Sequence, residues 1–171
     1  YFSPQGYAVY RGVIPLIRKA EDSIDISIFF LTHKNISKEL VKAKNRGVSV
    51  RVILDATAAT NGYSKHNYLR DNGVSVKVEN WGGKMHMKSA IIDKKHLIVG
   101  SMNWTSAGES KNDENTLIIK NFKDASKYQR FYNTIWNSIP DRWLKEDPLP
   151  ESLDSRNSCY DGIDNDFDKD V

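Results

Sequence analysis

His86-Met87-Lys88-Ser89-Ala90-Ile91-Ile92-Asp93-Lys94-Lys95-His96-Leu97-Ile98-Val99-Gly100 decides the fold. Two apolar runs flank a tight Lys94-Lys95 connection, so 86–93 and 96–100 read as adjacent strands. Outward from this pair, Ser23 to Phe30 is β-branched and aromatic, Val48 to Leu54 reads as a buried strand, Val74 to Val78 alternates, and Thr116 to Lys120 is another strand. Helical patterns lie between them. One covers Ile14 to Ala20, with Pro15 tolerated in its first turn. A second is capped by Asn35, carries Ile36, Leu40 and Val41 on one face, and closes at Gly47 after Lys44 and Arg46. Ser64 to Asp71 predicts a short helix before the Asn72-Gly73 turn, and Ala125 to Ile139 an amphipathic closing helix. Strands alternating with helices imply an α/β domain.

The chain has 171 residues, of which 39% are apolar, enough for one core. Its longest apolar run, Ile26 to Leu31 interrupted by Ser27, is far too short to cross a bilayer as a helix. Charge is split along the chain. Residues 1–145 carry 23 basic and 13 acidic side chains, whereas residues 146–171 carry 2 basic and 9 acidic. A basic body suits a polyanionic partner such as nucleic acid or anionic lipid, the alternative being an ordinary solvated surface. Pro148-Leu149-Pro150 marks a linker, giving a body over 1–145, a linker over 146–157 and an Asp-rich tail over 158–171.

One constellation carries chemistry: His86-x-Lys88, then Asp93, then Gly100-Ser101-x-Asn103. Residues two apart on a strand share a face, so His86 and Lys88 should point together, and Ser101 with Asn103 if that segment stays extended. A nucleophile or base, a fixed cation and two small hydrogen-bonding side chains then converge.

This pattern resembles the phospholipase D superfamily, whose signature His-x-Lys-x4-Asp-x6-Gly-Ser-x-Asn it matches at every position. The likeness extends through Tyr1-Phe2-Ser3-Pro4, Arg46-Gly47-Val48 and Asn112-Asp113-Glu114-Asn115, and is closest to the short, exported endonucleases that carry one copy of the motif. His33, His66 and His96 are not followed two residues later by Lys, so this chain has one copy. The resemblance implies a mixed β-sheet flanked by helices and a homodimer with its site across the twofold axis. It implies His86 as nucleophile forming a phosphohistidine, with the second copy's His86 as general acid and then base. Lys88, Ser101 and Asn103 would hold the phosphate oxygens without a cofactor. Glu114 stands where the one-copy branch has an acidic residue beside the histidine, which would orient the imidazole; the alternative is a solvated charge. Asp93 and Gly100 belong to the motif as framework. His33, after the first strand, is expected either to border the substrate pocket or to be a solvated loop histidine; His66 and His96 are read as surface or structural. The expected activity is metal-independent cleavage of nucleic acid. The alternatives are phospholipase D-type hydrolysis of phospholipid and an inactive nucleic-acid-binding module, the latter disfavoured by the complete motif.

In the tail, Asp161, Asp164, Asp166, Asp168 and Asp170 resemble the calcium loops of extracellular Asp-rich repeats, the alternative being a disordered acidic segment. Cys159 would then have a disulfide partner beyond Val171. The chain starts at Tyr1 rather than Met, so a leader or tag could have been removed or left out, which leaves the compartment open; the oxidising, calcium-rich space that the tail resemblance implies is what points to export. Asn103-Trp104-Thr105 is a glycosylation sequon on a motif residue, which favours a prokaryotic exported protein. Calorimetric titration of the full chain should show calcium uptake that deletion of residues 151–171 removes; equal uptake by the truncated chain would refute the tail site.

Overall fold

The computed structural model describes residues 1–150 except Gly82; Cys159 and the tail aspartates lie outside the described residues. In chain order the elements are β1 (Phe2–Ser3), a π-helical turn (Ala8–Val13) running into α1 (Ile14–Lys19), β2 (Ser23–Ile28), α2 (Lys34–Asn45), β3 (Ser49–Asp55), α3 (Ala56–Ala59), α4 (His66–Asp71), β4 (Ser75–Glu79), β5 (Lys88–Ile92), β6 (His96–Gly100), α5 (Ser106–Ser110), β7 (Glu114–Lys120), α6 (Phe122–Ser138) and a 3-10 turn (Asp141–Leu144). No helix among the described residues is long and apolar enough to cross a membrane.

The strands form one mixed sheet in the order β1-β7-β6-β5-β2-β3-β4. β2, β3 and β4 run parallel, because helical crossovers return the chain to the same end each time. β5, β6, β7 and β1 pair antiparallel with their neighbours. The mixed sheet flanked by helices is therefore as expected, and period-2 alternation explains why it is covered on both sides. Ile24, Ile26 and Ile28 of β2 pack on the helical layer that includes Ile36 and Leu40 of α2. Ile91 and Leu97 face the opposite way, onto Ala125, Tyr132 and Ile135 of α6.

Several boundaries differ from the sequence reading, and α2 is capped by the His33 side chain rather than by Asn35. β5 starts at Lys88, so His86 stands before the strand. The hairpin turn is centred on Asp93 and Lys94, whose φ values of 52° and 53° are those of a primed turn, rather than on Lys94-Lys95. α6 begins at Phe122, since the Asn121 side chain accepts the Lys123 and Asp124 N–H groups and caps the helix there. Asp147, within the stretch read as linker, is tied to the body through His66 at 2.8 Å and Arg70 at 2.6 Å. His66 is accordingly a buried structural residue.

Asp93 holds the hairpin to the rest of the sheet. Its carboxylate accepts the backbone N–H groups of Glu21, Asp22 and Ser23 at 2.8–3.2 Å, clamping the β5–β6 turn to the start of β2. Burial pushes this carboxyl up, but the three donors outweigh it and hold it below its usual range. Such a group stabilises the fold above the ordinary carboxylate pKa and loses that contribution as pH falls through its lowered value. Asp93→Ala should lower the unfolding free energy by about 2 kcal/mol in urea denaturation. Asp93→Asn should flatten the acid side of the stability profile; an unchanged profile would contradict the clamp.

Candidate active site

The register brings one end of each central strand to a single edge. Ile28 at the end of β2 pairs with Lys88 at the start of β5, and Gly100 at the end of β6 pairs with Thr116 near the start of β7. β3 and β4 also end at this edge, with Asp55 and Glu79. His86, Lys88, Ser101, Asn103 and Glu114 thus meet across neighbouring strands, although they are spread from residue 86 to residue 114 of the chain.

His86 is exposed and Lys88 is buried. The backbone leading to His86 is fixed at two points: Met85 N–H donates to Asp55 Oδ2 at 2.8 Å, and Phe29 N–H donates to the Met87 carbonyl at 2.9 Å. The imidazole lies against Phe29, with ring centroids 4.8 Å apart. Lys88 Nζ lies 5.2 Å from the same ring's centroid and donates to the His86 carbonyl at 2.7 Å. An ammonium has three donors, so two remain for a ligand. Burial and then the Lys88 charge push the His86 imidazole below its ordinary value, against the Asp55 carboxylate. Burial likewise lowers the Lys88 ammonium, while Glu114 and Asp55 oppose the shift.

The second half of the motif is built around Gly100 and Met102. A Cβ on Gly100 would lie 2.1 Å from the Asn115 carbonyl oxygen, so any side chain there would push β6 from β7. Met102 is buried, receiving the Ser3 hydroxyl at 3.5 Å, and on either side of it the chain turns Ser101 and Asn103 toward different strands. Asn103 Oδ1 accepts Phe30 N–H at 3.1 Å, which leaves its NH2 as a donor. The Ser101 hydroxyl donates to Glu114 Oε2 at 2.5 Å and accepts Asn115 N–H at 3.1 Å. Ser101 thus engages β7, whereas Asn103 engages the backbone that follows β2.

Glu114 is bound by Ser101 and, at 3.3 Å, by Asn112 Nδ2, rather than by His86 of its own chain. The physical reason is strand order, since β6 stands between β5 and β7. Its influence reaches Lys88 through charge instead. His33 is buried, so it is not the solvated loop histidine of one reading. Its Nδ1 accepts Ile36 N–H at the start of α2, and its Nε2 meets Glu109 Oε2 at 3.1 Å. It supports the Asn103–Thr105 loop from behind, through its backbone N–H on the Trp104 carbonyl at 2.9 Å.

Sequence reading missed three residues. Phe29 packs on both His86 and Lys88, Asp55 holds Met85, and Glu79 is a buried carboxyl beside Asp55. Burial pushes Glu79 up to about 8, with the Asp55 charge adding to the shift and the Trp81 N–H opposing it. The available signal was position, since side chains at the carboxyl ends of parallel strands line sites in α/β sheets. Among the described residues no group of three or more His, Cys, Asp or Glu side chains is placed to hold a metal ion. A cavity of about 660 Å³, lined by Asp25, Arg51 and Gln129, lies at the opposite edge of the sheet.

Residues 13–136 match the family described as cardiolipin synthase, PLD-like domain. Curated relatives include a phospholipase D of Rickettsia prowazekii, 34% identical over 69% of this chain and 58% of its own length. A mitochondrial cardiolipin hydrolase of Homo sapiens is 30% identical over 80% of this chain and 54% of its own. The chain thus spans about half the length of the curated relatives it matches. Among solved structures, Nuc from Salmonella typhimurium, a phospholipase D family member, superposes with a TM-score of 0.77 at 32% identity, covering 81% of this chain and 93% of Nuc. NucT from Helicobacter pylori gives 0.72 at 25% identity, covering 81% and 96%.

Followed by NMR, the His86 imidazole should titrate below the ordinary histidine midpoint. Lys88→Met should raise that midpoint and Asp55→Asn should lower it further. Shifts of the opposite sign would contradict the charge arrangement.

Proposed function

Because this chain belongs to the phospholipase D superfamily, through its cardiolipin synthase, PLD-like domain, we propose that it is a phosphodiesterase that cleaves nucleic acid at a site completed by a second copy of itself. The observation that carries this reading is the convergence of one His86, one Lys88 and one Asn103 on an exposed sheet edge.

Phosphoryl transfer needs an attacking and a leaving atom in line, with positive charge around the equatorial oxygens. An imidazole pushed below its ordinary value by partial desolvation and by the Lys88 charge is suited to attack phosphorus. As the N–P bond forms, the P–O bond to the leaving group breaks, and the leaving oxygen takes a proton from the second copy's His86. That histidine, now neutral, takes a proton from the water that hydrolyses the phosphohistidine. One imidazole cannot stand on both sides of phosphorus, which is why a second copy is required. The two spare donors of Lys88 and the Asn103 NH2 grip the non-bridging oxygens and supply positive charge that other phosphodiesterases draw from metal ions. Ser101 acts less as a phosphate ligand than as the bridge holding Glu114, whose charge opposes the lowering of the buried Lys88 ammonium.

The basic body supports nucleic acid as substrate. The names of the curated relatives favour phospholipid as the second reading. The separate expectations of calcium in the tail and of export in a prokaryote stand as proposals beside the mechanism.

Cleavage of single-stranded DNA, RNA and phospholipid vesicles, assayed in parallel, should show nucleic acid as the preferred substrate and no loss in chelator. His86→Ala should reduce turnover at least about 10³-fold, and mixing it into active protein should poison activity beyond simple dilution. A strict Mg²⁺ requirement, an active monomer by sedimentation, or hydrolysis confined to phospholipid would each overturn a part of the reading. Glu114→Gln removes an anion that supports the Lys88 charge, so the alkaline limb of the pH–kcat/KM profile should move to lower pH; a shift upward would contradict that role.

A further inference from the structure

Beside the candidate site, α2 and α4 enclose a cavity of about 230 Å³ lined by Lys34, Ser37, Lys38, Lys65 and Tyr68. Lys34 and Lys38 are one helical turn apart on α2 and both are exposed. Like charges at that spacing repel and weaken a helix. Lys65 is brought to them by its backbone N–H, which donates to the Leu31 carbonyl at 3.0 Å, and Tyr68 follows one turn later with its ring partly exposed. No ion pair joins these three lysines to a carboxylate among the described residues. The nearby acids are taken elsewhere: Glu39 by Arg18 and Lys42, Asp147 by His66 and Arg70. Three lysines and one aromatic ring thus line a single cavity that has no carboxylate among its lining residues.

Its place relative to His86 gives the pocket meaning. Phe30 N–H is held by Asn103 Oδ1, and the chain then runs Leu31, Thr32, His33 to Lys34. Those four steps span at most roughly 14 Å. The pocket lies on the sheet side that carries α2, the side to which Lys88 and its strand mates Ala90 and Ile92 point. A substrate with a single phosphodiester would be held at Lys88 and Asn103 and would leave this pocket empty. A polymer with a phosphate at every sugar would reach both.

We propose that Lys34, Lys38, Lys65 and Tyr68 form a subsite for the single-stranded nucleic acid flanking the scissile phosphate. The lysines neutralise its phosphates and Tyr68 stacks on a base, as in other single-strand binding grooves. This rests on the nucleic-acid reading above and adds where the strand runs.

The test uses the full chain carrying His86→Ala, so that substrate survives, and measures anisotropy of a labelled 16-nucleotide single-stranded DNA across a salt series. Combining Lys34→Gln, Lys38→Gln and Lys65→Gln should weaken binding roughly tenfold and flatten the slope of log K against log salt by about 2, near 0.7 for each phosphate that a lysine no longer neutralises. Tyr68→Ala should weaken binding with the slope kept. Restoring charge with arginine at the three positions should recover affinity, which an unfolded variant would not do. Equal affinity and slope in the glutamine variant would overturn the subsite. So would a loss of binding confined to phosphatidylglycerol vesicles, which would assign the cluster to a lipid surface. If the unmodified chain neither binds nor cleaves any nucleic acid, the underlying functional reading itself fails.

Discussion

The antiparallel pairing of β5 with β2 is the constraint on which the rest depends. β2, β3 and β4 run the same way, and a fourth parallel strand would have placed the start of β5 at the far end of the sheet. By reversing, β5 sets Lys88 beside Ile28 and brings the residues before it alongside Phe29. The carboxyl ends of the parallel strands and the beginning of the motif strand then share one edge, where loops are free to carry chemistry. Asp93 secures this from the other end of the hairpin, which explains how a motif residue far from the reacting atoms bears on the site's geometry.

The site's electrostatics follow from the same placement. Lys88 begins a buried strand, so its charge is desolvated, and carboxylates on β3 and β7 limit how far its pKa falls. His86, just outside the strand, stays exposed to substrate yet feels the buried ammonium, and the result is a histidine biased toward its neutral form. Ser101 connects Glu114 to this arrangement by a short hydrogen bond, so a residue read as a phosphate ligand and one read as the orienter of the imidazole are joined directly to each other.

One chain brings a single His86 and a single Lys88 to this end of the sheet, and the proposed second copy would supply the other pair. The lysine cavity between α2 and α4, the proposed subsite, lies on the sheet face that carries α2, within the basic body of the chain.

The α/β class, the order of the main elements and the identity of the motif residues were legible in the amino-acid sequence, because hydrophobic periodicity and glycine or asparagine punctuation are local signals. The sequence could not tell that His86 falls outside its strand, that Glu114 answers to Ser101, or that His33 is buried on Glu109. These depend on which strands are neighbours, and strand order is set by the packing of two helical layers on a sheet. Phe29, Asp55 and Glu79 went unread for the same reason: each is an ordinary strand-end residue until the reversal of β5 brings the motif to its side. Local pattern determined what the pieces are, and tertiary pairing decided which of them touch.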